Sequence, residues 1–383
     1  MTKHKAAAGQ PAGSSVSVCT FFIVYYLPVC KDKDKMDYNK KAISNQCSGV
    51  SKKQDPVQKG TWIPDPKQLI TSVDELLELA GLRREQVPEA VDVAPGFPLR
   101  VTRSFASRIR PGDPHDPLLR QVLPLAQEFE KTAGYSRDPL KETNASPAPG
   151  LLHKYDGRVL LITHAACAVH CRYCFRRHFD FTGHIPGDAA LEQALTYIGA
   201  ETSIREVILS GGDPLSGDDS YLHNLVQRLA LIPHLVRLRV HTRMPIICPD
   251  RITSRLLNLL TATRLAPIAV IHANHAAEIN QTVASTLSDM KTAGITLLNQ
   301  SVLLRGVNDS TAALVELSET LFAAGVLPYY LHMLDRVEGA AHFAVEQRRA
   351  RLLITELSRR LPAYLVPRLV RETPGDRSKT PVY

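Results

Sequence analysis

Three cysteines lie within eight residues of one another, in the segment Cys167-Ala-Val-His-Cys171-Arg-Tyr-Cys174. Thiolates are soft ligands for iron, and a cubane cluster of four irons is ordinarily held by four of them. With only three cysteines nearby, one iron keeps an open coordination position. An open iron can chelate a small molecule through an amine and a carboxylate, as a cluster must in order to cleave S-adenosylmethionine. The spacing therefore predicts a 4Fe-4S cluster that binds S-adenosylmethionine.

Two other interpretations of the three cysteines stay open at this point. A structural zinc site usually has two pairs of ligands, and only His170 or His178 could supply a fourth ligand here. The cysteines could also be unliganded core or redox thiols. The spacing C-x3-C-x2-C, with the aromatic Tyr173 before the third cysteine, favours the cluster. It resembles the motif of the radical S-adenosylmethionine superfamily.

A glycine-containing segment, Ser210-Gly-Gly-Asp213, follows the next strand-like run. Glycine lets a backbone approach a ligand closely, although such a segment is more often just a turn. Placed one strand after the cysteine loop, it resembles the segment that hydrogen-bonds the amino group of S-adenosylmethionine in radical enzymes. The residues expected to contact this cofactor are Ser210, Gly211, Gly212, Asp213, His272 and Gln300.

The elements that must position these loops alternate along the chain from Leu151 onward. Short runs rich in β-branched residues are separated by longer helical patterns, which is typical of a parallel sheet with crossover helices. The predicted strands are 158–163, 206–210, 236–241, 268–272, 295–300 and 326–332, and the predicted helices are 189–200, 219–230, 250–261, 280–293 and 310–324. Six units predict an α/β fold, a partial (β/α)6 TIM-like barrel with its chemistry where the strands end.

Residues 61–150 predict a small, mostly helical domain that precedes the barrel. Ser72 and Glu75 form a capping-box pattern at the start of a helix that Gly81 ends. Prolines punctuate the helical turns that follow, and Pro147-Ala-Pro-Gly150 marks the boundary. The barrel is therefore expected to occupy residues 151–383.

Residues 1–60 differ in character from the rest of the chain. An apolar run from Val16 to Val29 superficially resembles the hydrophobic region of a secretion signal. It is too short to span a bilayer as a helix, and an oxidising compartment would suit an oxygen-sensitive cluster poorly. We therefore expect a poorly ordered extension upstream of a cytoplasmic enzyme, with Met36 as an internal methionine and Cys19, Cys30 and Cys47 incidental.

The positive charge of the chain is concentrated in this extension. Residues 1–60 hold ten lysines and four aspartates, which account for +6 of the net charge of +8 and leave +2. The hydrophobic fraction of 44% is that of an ordinary globular protein. Without a basic surface in the remainder, neither nucleic acid nor a membrane is expected as a partner.

From about residue 65 the chain closely resembles the lysine 2,3-aminomutases, and within them the branch that makes β-lysine for modifying elongation factor P. The shared motifs are residues 167–177, Ser210 to Leu215, Asn299 to Asp309, Pro328-Tyr-Tyr330, Gly339 to Phe343 and Lys379-Thr-Pro381. The resemblance implies an isomerase that moves the α-amino group of L-lysine to Cβ. It also implies that holding Cβ near the radical matters more than acid–base catalysis.

Lysines near a chain terminus are usually solvated and have no specific role, so position alone would not single out Lys379. The resemblance does assign it a role. In this family the lysine before Thr-Pro holds pyridoxal 5′-phosphate as a Schiff base. The family's phosphate contacts lie just before the cysteine loop, which points to Lys154 and Arg158. Lys154 stands where other aminomutases carry arginine, so the bidentate geometry of a guanidinium is lost there.

The same resemblance assigns three side chains to the substrate. Arg176 matches the arginine that binds the carboxylate of lysine, and Asp335 and Glu372 match the acids that hold its ε-ammonium. Glu372 is aspartate in the lysine-degrading relatives, which leaves the exact amino acid open. Without the resemblance, each of the three would be taken for a surface charge.

Further expectations concern partners and metals. The resemblance implies an electron donor such as flavodoxin or ferredoxin and a functional link to an elongation factor P ligase. The sequence leaves the oligomeric state open, with a homo-oligomer as one option. Ser310 follows Asn308-Asp309 where the lysine-degrading relatives have a zinc-binding cysteine, and the chain stops at Tyr383 without their cysteine-bearing tail. No structural zinc is therefore expected, and Cys248 is expected to be a core thiol.

Two rival functions stay open. One is a stand-alone aminomutase that acts on lysine, arginine or glutamate in catabolism or secondary metabolism, although two acids favour a cationic side chain. The other is a non-catalytic iron–sulfur protein that senses redox state or binds RNA. A sensor or RNA-binding protein of this kind would need neither the segment Ser210 to Asp213 nor Lys379. Its binding to RNA would depend strongly on salt concentration.

Overall fold

The computed structural model describes residues 62, 64–92, 97–179, 181 and 188–383. The extension expected over residues 1–60, with its three cysteines and Met36, lies outside these described residues. The lead-in segment, up to residue 150, contains a two-stranded antiparallel ribbon of β1 (Leu69–Ile70) and β2 (Val101–Thr102). Its α-helices are α1 (Val73–Leu79), α2 (Arg103–Ala106) and α3 (Pro117–Val122).

Side-chain caps start the helices of the lead-in segment. The hydroxyl of Ser72 accepts a hydrogen bond from the N–H of Glu75, as the capping pattern predicts. Asp116 caps α3 by accepting from the N–H groups of Leu118 and Leu119 at 2.8 and 2.9 Å. The helices are short, and much of their stability must come from packing against the barrel rather than from propensity.

One sheet of nine strands forms the centre of the described molecule. In chain order the strands are β3 (Leu151–Tyr155), β4 (Arg158–His164), β5 (Glu206–Gly211), β6 (Arg237–Thr242), β7 (Ala266–Ile271), β8 (Thr296–Val302), β9 (Leu327–His332), β10 (Arg368–Arg371) and β11 (Thr380–Pro381). The spatial order is the chain order, with β4 to β10 parallel and the edge strands β3 and β11 antiparallel. Within the described residues β3 and β11 do not pair with each other, so the sheet is an open, partial barrel.

All six predicted strands are present, and their ends lie within two residues of the predicted ones. Three strands of the sheet were not predicted: β3, β10 and β11. β10 has four residues and β11 has two, which is too short for an alternating pattern to be recognised. They exist because β10 pairs with β9 and β11 folds back on β10.

Helices alternate with the strands from β4 onward: α4 (Asp188–Ala200), α5 (Asp219–Ala230), α6 (Met244–Ile247), α7 (Ser254–Thr261), α8 (Gln281–Thr292), α9 (Thr311–Ala323) and α10 (Gln347–Arg360). The helix predicted over 250–261 begins at Ser254, because the Thr253 hydroxyl caps it and Pro249–Arg251 forms a separate 3-10 turn. α10 was not predicted. Among the described residues, no helix combines the length and the apolar character that crossing a bilayer requires.

Side chains of each strand alternate between a helix-covered face and the inside of the barrel, which we call the lumen. On β6, Leu238 and Val240 belong to one core cluster with helix residues such as Leu225 and Leu256. Arg239 and His241 alternate with them and therefore face the lumen. The lead-in segment shares this core through residues such as Phe105 and Leu118. The lumen therefore receives charged and polar side chains from β6, while the opposite face of this strand packs in the apolar core.

Candidate active site

The cysteine loop leaves the end of β4 and brings three free, half-buried thiols together. The N–H of Cys174 donates to the carbonyl of Cys171 at 3.0 Å, which turns the chain between the second and third cysteines. Burial raises the pKa of Cys167, and the negative charges of Asp213, Cys174 and Cys171 add to this effect. The three sulfurs therefore lie within electrostatic reach of one another.

The donor set fits a cluster. The described residues contain no three His, Cys, Asp or Glu side chains arranged as ligands of one ion. A cubane does not need that arrangement, because each thiolate binds a different iron. Arg243 donates from Nη1 to the sulfur of Cys171 at 2.7 Å. Cys167, Cys171 and Cys174 are thus the residues that would hold a 4Fe-4S cluster.

The lead-in segment binds the cysteine loop through the buried carboxylate of Glu128. Glu128 accepts from Nε of Arg172 at 2.7 Å and from Nη2 of Arg177 at 2.6 Å. Burial opposes ionisation of Glu128, but Arg172 and Arg177 outweigh it and lower the pKa of the carboxyl group. Both guanidinium groups also lie against the ring of Phe97, at 4.8 and 4.9 Å from its centroid. The loop is therefore anchored on residues that the cysteine motif does not contain.

The two histidines considered as zinc ligands have other partners. Nδ1 of His170 lies 2.7 Å from the carbonyl oxygen of Pro98, and the ring stacks on Phe97. Burial lowers the pKa of His170 to about 4. Nε2 of His178 lies 3.2 Å from the carbonyl oxygen of Glu338. Both rings therefore help to hold the loop through backbone carbonyls.

A buried polar network lies behind Cys171. Arg243 donates to the hydroxyl of Tyr173 at 2.8 Å and to Glu278 at 2.9 Å. Asn274 donates to the same hydroxyl at 2.7 Å, and Nε2 of His272 lies 3.4 Å from it. His272, expected to contact S-adenosylmethionine, is thus already linked to the aromatic residue of the cysteine motif. Burial lowers its pKa to about 3, so its ring is neutral.

The glycines of the Ser210–Asp213 segment serve a contact between two loops. A Cβ on Gly211, whose φ is 131°, would lie 2.3 Å from the carbonyl oxygen of His164, and one on Gly212 would lie 2.4 Å from that of Ala165. Gly212 also donates its N–H to the His164 carbonyl at 2.7 Å. The sequence suggested a close approach to a ligand, and the structure shows a close approach to the backbone that leads into the cysteine loop.

The side chains of the same segment have protein partners too. The Asp213 carboxylate accepts from the hydroxyl of Thr242 and the N–H of Arg243, both at 2.8 Å. Burial raises its pKa, and these hydrogen bonds oppose the rise. Ser210 accepts from Nη1 of Arg176 at 3.2 Å. The segment therefore joins β5, β6 and the cysteine loop into one rigid rim.

Five side chains form a continuous chain of ion pairs across the lumen. Arg176 donates to Glu142 from Nε at 2.7 Å and from Nη2 at 2.9 Å. Lys154 bridges Glu142 at 3.0 Å and Glu372 at 2.9 Å, and Glu372 accepts from Nζ of Lys379 at 2.8 Å. The structure thus brings together four of the predicted site residues through one, Glu142, that sequence reasoning missed. Glu142 lies in a 3-10 turn of a polar segment, and no local pattern marks it.

Charge complementarity keeps this chain ionised. Burial disfavours the charged form of Glu372, but Lys379 and Lys154 outweigh burial and lower the pKa of its carboxyl group. Burial and the neighbouring charge of Glu372 raise the pKa of the Tyr155 phenol. Nζ of Lys379 also lies 5.8 Å from the ring centroid of Tyr330. Lys379 is therefore held inside the lumen, on a segment that β11 attaches to the sheet.

Asp335 stands beside this chain without joining it. Its carboxyl group accepts no hydrogen bond from any other residue that the structure describes. Burial and the charge of Glu372 raise its pKa to about 7, against the opposing effects of Lys379 and Lys154. Two carboxyl groups, one paired and one unpaired, therefore face the same space, an arrangement that would attract an added cation.

Residues able to hold pyridoxal phosphate also lie in the lumen. Arg158 stacks on the ring of Tyr155, 4.7 Å from its centroid, and its guanidinium has no hydrogen bond or ion pair to another described residue. Its guanidinium is free to bind a phosphate, whereas the ammonium of Lys154 already has two carboxylate partners. Gln300 is half-buried on β8 and opposite Tyr330 in the sheet register. Lys379, Lys154 and Arg158 therefore fit an aldehyde that carries a phosphate.

Known proteins match the chain over most of its length. Residues 156–232 match the family model of a 4Fe-4S single cluster domain. L-lysine 2,3-aminomutase of Escherichia coli strain K12 is 47% identical over 322 residues, which are 84% of this chain and 94% of that protein. The L-lysine 2,3-aminomutases of Haemophilus influenzae and Clostridium subterminale are 43% and 35% identical, over 85% and 84% of this chain and 97% and 77% of theirs.

Among solved structures, a radical SAM methyltransferase from Sphaerobacter thermophilus is 18% identical in sequence, with a TM-score of 0.41. The matched region covers 58% of this chain and 68% of the methyltransferase chain. The fold is established by the strand order of the sheet itself. The aminomutases are isomerases, and their class uses a 4Fe-4S cluster, S-adenosylmethionine and pyridoxal phosphate. With sequence identity of this extent and three cysteines placed at the rim of a partial barrel, the chain belongs to the lysine 2,3-aminomutase family.

Proposed function

We propose that the protein is a radical S-adenosylmethionine, pyridoxal phosphate-dependent 2,3-aminomutase that converts L-α-lysine to β-lysine. The observation that carries this proposal is the chain of ion pairs from Arg176 to Lys379, with the unpaired Asp335 beside it. Arg176, Lys379, Glu372 and Asp335 lie in one lumen, which supports the roles proposed for them: carboxylate binding by Arg176, cofactor binding by Lys379 and ammonium binding by the two acids. When bound, the cluster with S-adenosylmethionine supplies a radical that removes hydrogen, and pyridoxal phosphate supplies an aldehyde that carries the migrating nitrogen.

Arg176 binds the substrate carboxylate in this proposal. Its guanidinium is buried and already holds a carboxylate, Glu142, in a bidentate pair. A substrate carboxylate can take over one side of this fork or share it, because a guanidinium has five N–H donors. Nη1 also donates to the carbonyl of Gly211 at 3.1 Å, which fixes the plane of the group. The carboxylate-binding group is therefore oriented before the substrate arrives.

Asp335 and Glu372 bind the ε-ammonium of lysine in this proposal. Glu372 is ionised between two lysines, whereas Asp335 has a pKa of about 7 because it is buried beside Glu372. An incoming ammonium places a positive charge beside Asp335 and thereby favours its ionised form. The ionised carboxylate in turn binds the ammonium more tightly. A neutral or anionic side chain offers no such exchange. The pair therefore favours lysine over glutamate as substrate.

Lys379 and the phosphate contacts hold the aldehyde cofactor. Nζ of Lys379 donates a hydrogen bond to Glu372 at 2.8 Å, which fixes the position of the amine. The Arg158 guanidinium, which has no ion-pair partner among the described residues, takes the phosphate, with Lys154 as a second contact. Positional precision dominates a radical reaction, because the abstracted hydrogen must lie next to the radical carbon. The buried ion pairs supply that rigidity and exclude water.

We further propose that the product β-lysine is attached to elongation factor P by a ligase, and that a flavodoxin or ferredoxin reduces the cluster. The chain aligns with 94% of the length of the Escherichia coli relative but 77% of the clostridial one. Support for this destination is the resemblance to the branch that modifies elongation factor P. A stand-alone aminomutase is the alternative, and incubating elongation factor P and its ligase with the product separates the two by the mass of the modified factor.

The test of the aminomutase is a reconstitution under anaerobic conditions. The purified protein with its cluster rebuilt is incubated with L-lysine, S-adenosylmethionine, dithionite and pyridoxal phosphate, and the amino acids are separated by chromatography. We expect β-lysine to appear only when all three cofactors are present. Cleavage of S-adenosylmethionine with lysine unchanged would keep the radical chemistry and overturn the substrate assignment.

A further inference from the structure

Two histidines of the lumen have no role in the binding of substrate or cofactor described above. His241 lies on β6 and His332 on β9, both half-buried. Nε2 of each ring is fully buried, and neither ring hydrogen-bonds to any residue that the structure describes. Buried polar atoms in folded proteins are nearly always paired, so two unpaired ones in one compartment require an explanation.

Both rings share their surroundings with the candidate cofactor lysine. The charges of Lys379 and Glu372 act on His241 and on His332, and His332 also senses His241. The ring of His332 meets that of Tyr330 edge to face at 5.5 Å, and Tyr330 lies under Nζ of Lys379. The two imidazoles are therefore placed in the space around Lys379.

The two imidazoles are neutral. Burial lowers the pKa of both rings well below its usual value, and Lys379 adds to the effect. The groups that face His241 are Arg239, Arg176, Lys379 and Glu372, and those that face His332 are Lys379, Glu372, His272 and His241. A neutral imidazole offers one N–H donor and one acceptor without adding charge. Such a pair suits a ligand whose charges are already balanced by nearby cations.

We propose that His241 and His332 hydrogen-bond through Nε2 to pyridoxal phosphate held on Lys379, and so fix the orientation of its ring. This inference rests on the proposed function. The cations Lys154 and Arg158 would bind the phosphate, and Lys379 would bind the aldehyde carbon. The remaining polar atoms of the cofactor, its ring nitrogen and phenolic oxygen, need neutral partners in a buried site. The two unpaired imidazole nitrogens supply them.

The experiment measures binding of pyridoxal phosphate by its absorbance, using the cluster-reconstituted protein without S-adenosylmethionine or lysine. We expect His241→Leu and His332→Leu to weaken binding at least tenfold. The Gln variants, which keep a donor near the position of Nε2, should stay within about threefold of the original protein. His223→Leu, on the exposed face of α5, is the matched control and should leave binding unchanged.

Thermal unfolding without pyridoxal phosphate separates a binding role from a structural one. Replacing an unpaired buried imidazole with an apolar group should leave the midpoint unchanged or raise it. A lowered midpoint without rescue by the Gln variants would overturn the proposal, as would unchanged pyridoxal phosphate affinity. Loss of S-adenosylmethionine affinity instead would assign the rings to that cofactor and overturn it too. If the original protein bound no pyridoxal phosphate, the proposed function would fail, which is a distinct result.

Discussion

Glu142 holds Arg176 in a bidentate, buried ion pair, with Nε–Oε2 and Nη2–Oε1 distances of 2.7 and 2.9 Å. The arginine expected to bind the substrate carboxylate is therefore already paired with a carboxylate of the protein before the substrate binds. Burial opposes ionisation of Glu142, and Arg176 and Lys154 outweigh it and lower the pKa of the carboxyl group. The pair orients the guanidinium and keeps it charged before lysine binds.

Glu142→Gln should destabilise the protein, because it leaves Arg176 and Lys154 short of negative charge in a buried site. Breaking a buried pair typically costs about 3–5 kcal/mol, which thermal unfolding would detect. Glu356→Gln, which breaks the exposed pair with Arg359, is the control and should have an effect below about 1 kcal/mol. Because the substrate carboxylate would replace the lost charge, L-lysine should raise the midpoint of Glu142→Gln more than that of the original protein. Equal shifts would count against carboxylate binding by Arg176.

Cys171→Ala and Lys379→Ala should separate the two cofactors. Removing one thiolate should prevent assembly of the cluster and abolish activity, which iron content and visible absorbance would report. Removing the amine should leave the brown cluster intact and eliminate the absorbance of bound pyridoxal phosphate. A Lys379→Ala protein with full turnover would contradict the assignment of this residue.

Arg158→Gln should weaken pyridoxal phosphate with little effect on stability. The guanidinium has no ion-pair partner among the described residues, so its removal breaks no protein salt bridge. We expect a loss of about tenfold in affinity, or about 1.4 kcal/mol, measured by titration of the cofactor. Lys154→Gln should instead lower the unfolding midpoint, because Glu142 and Glu372 both lose a partner. Equal behaviour of the two variants would refute the division of roles.

Binding of a lysine-like cation should depend on the ionisation of Asp335. Its carboxyl group has a pKa of about 7 in the folded protein and must lose its proton to pair with an ammonium. Affinity should therefore rise up to about tenfold per unit as pH increases toward 7 and level off above 7. The ligand 6-aminohexanoate has the carboxylate and the ammonium of lysine but no α-amine, so its binding isolates this step. Asp335→Asn should weaken binding above pH 7 and flatten the profile, and an unchanged profile would contradict the role of Asp335.

The sequence alone determined the chemistry of the loop and most of the sheet. Cys167, Cys171 and Cys174 are close in the chain, so their spacing already implies shared ligation. The six predicted strands carry local patterns of β-branched residues, which the burial of one face requires. Resemblance of Lys379-Thr-Pro381 to a family motif added the cofactor lysine, and that assignment stays a prediction.

Only the tertiary structure decided which charges meet. Lys154 and Glu372 are 218 residues apart in the chain, and Glu142 reaches Arg176 from the lead-in segment. Pairing at such separations depends on the sheet that brings the segments together, so no local pattern encodes it. The same reason explains β10 and β11, which exist by pairing, and His241 and His332, whose isolation is visible only once every neighbour is in place. Local spacing specified the reactive motif, and long-range packing built the lumen around it.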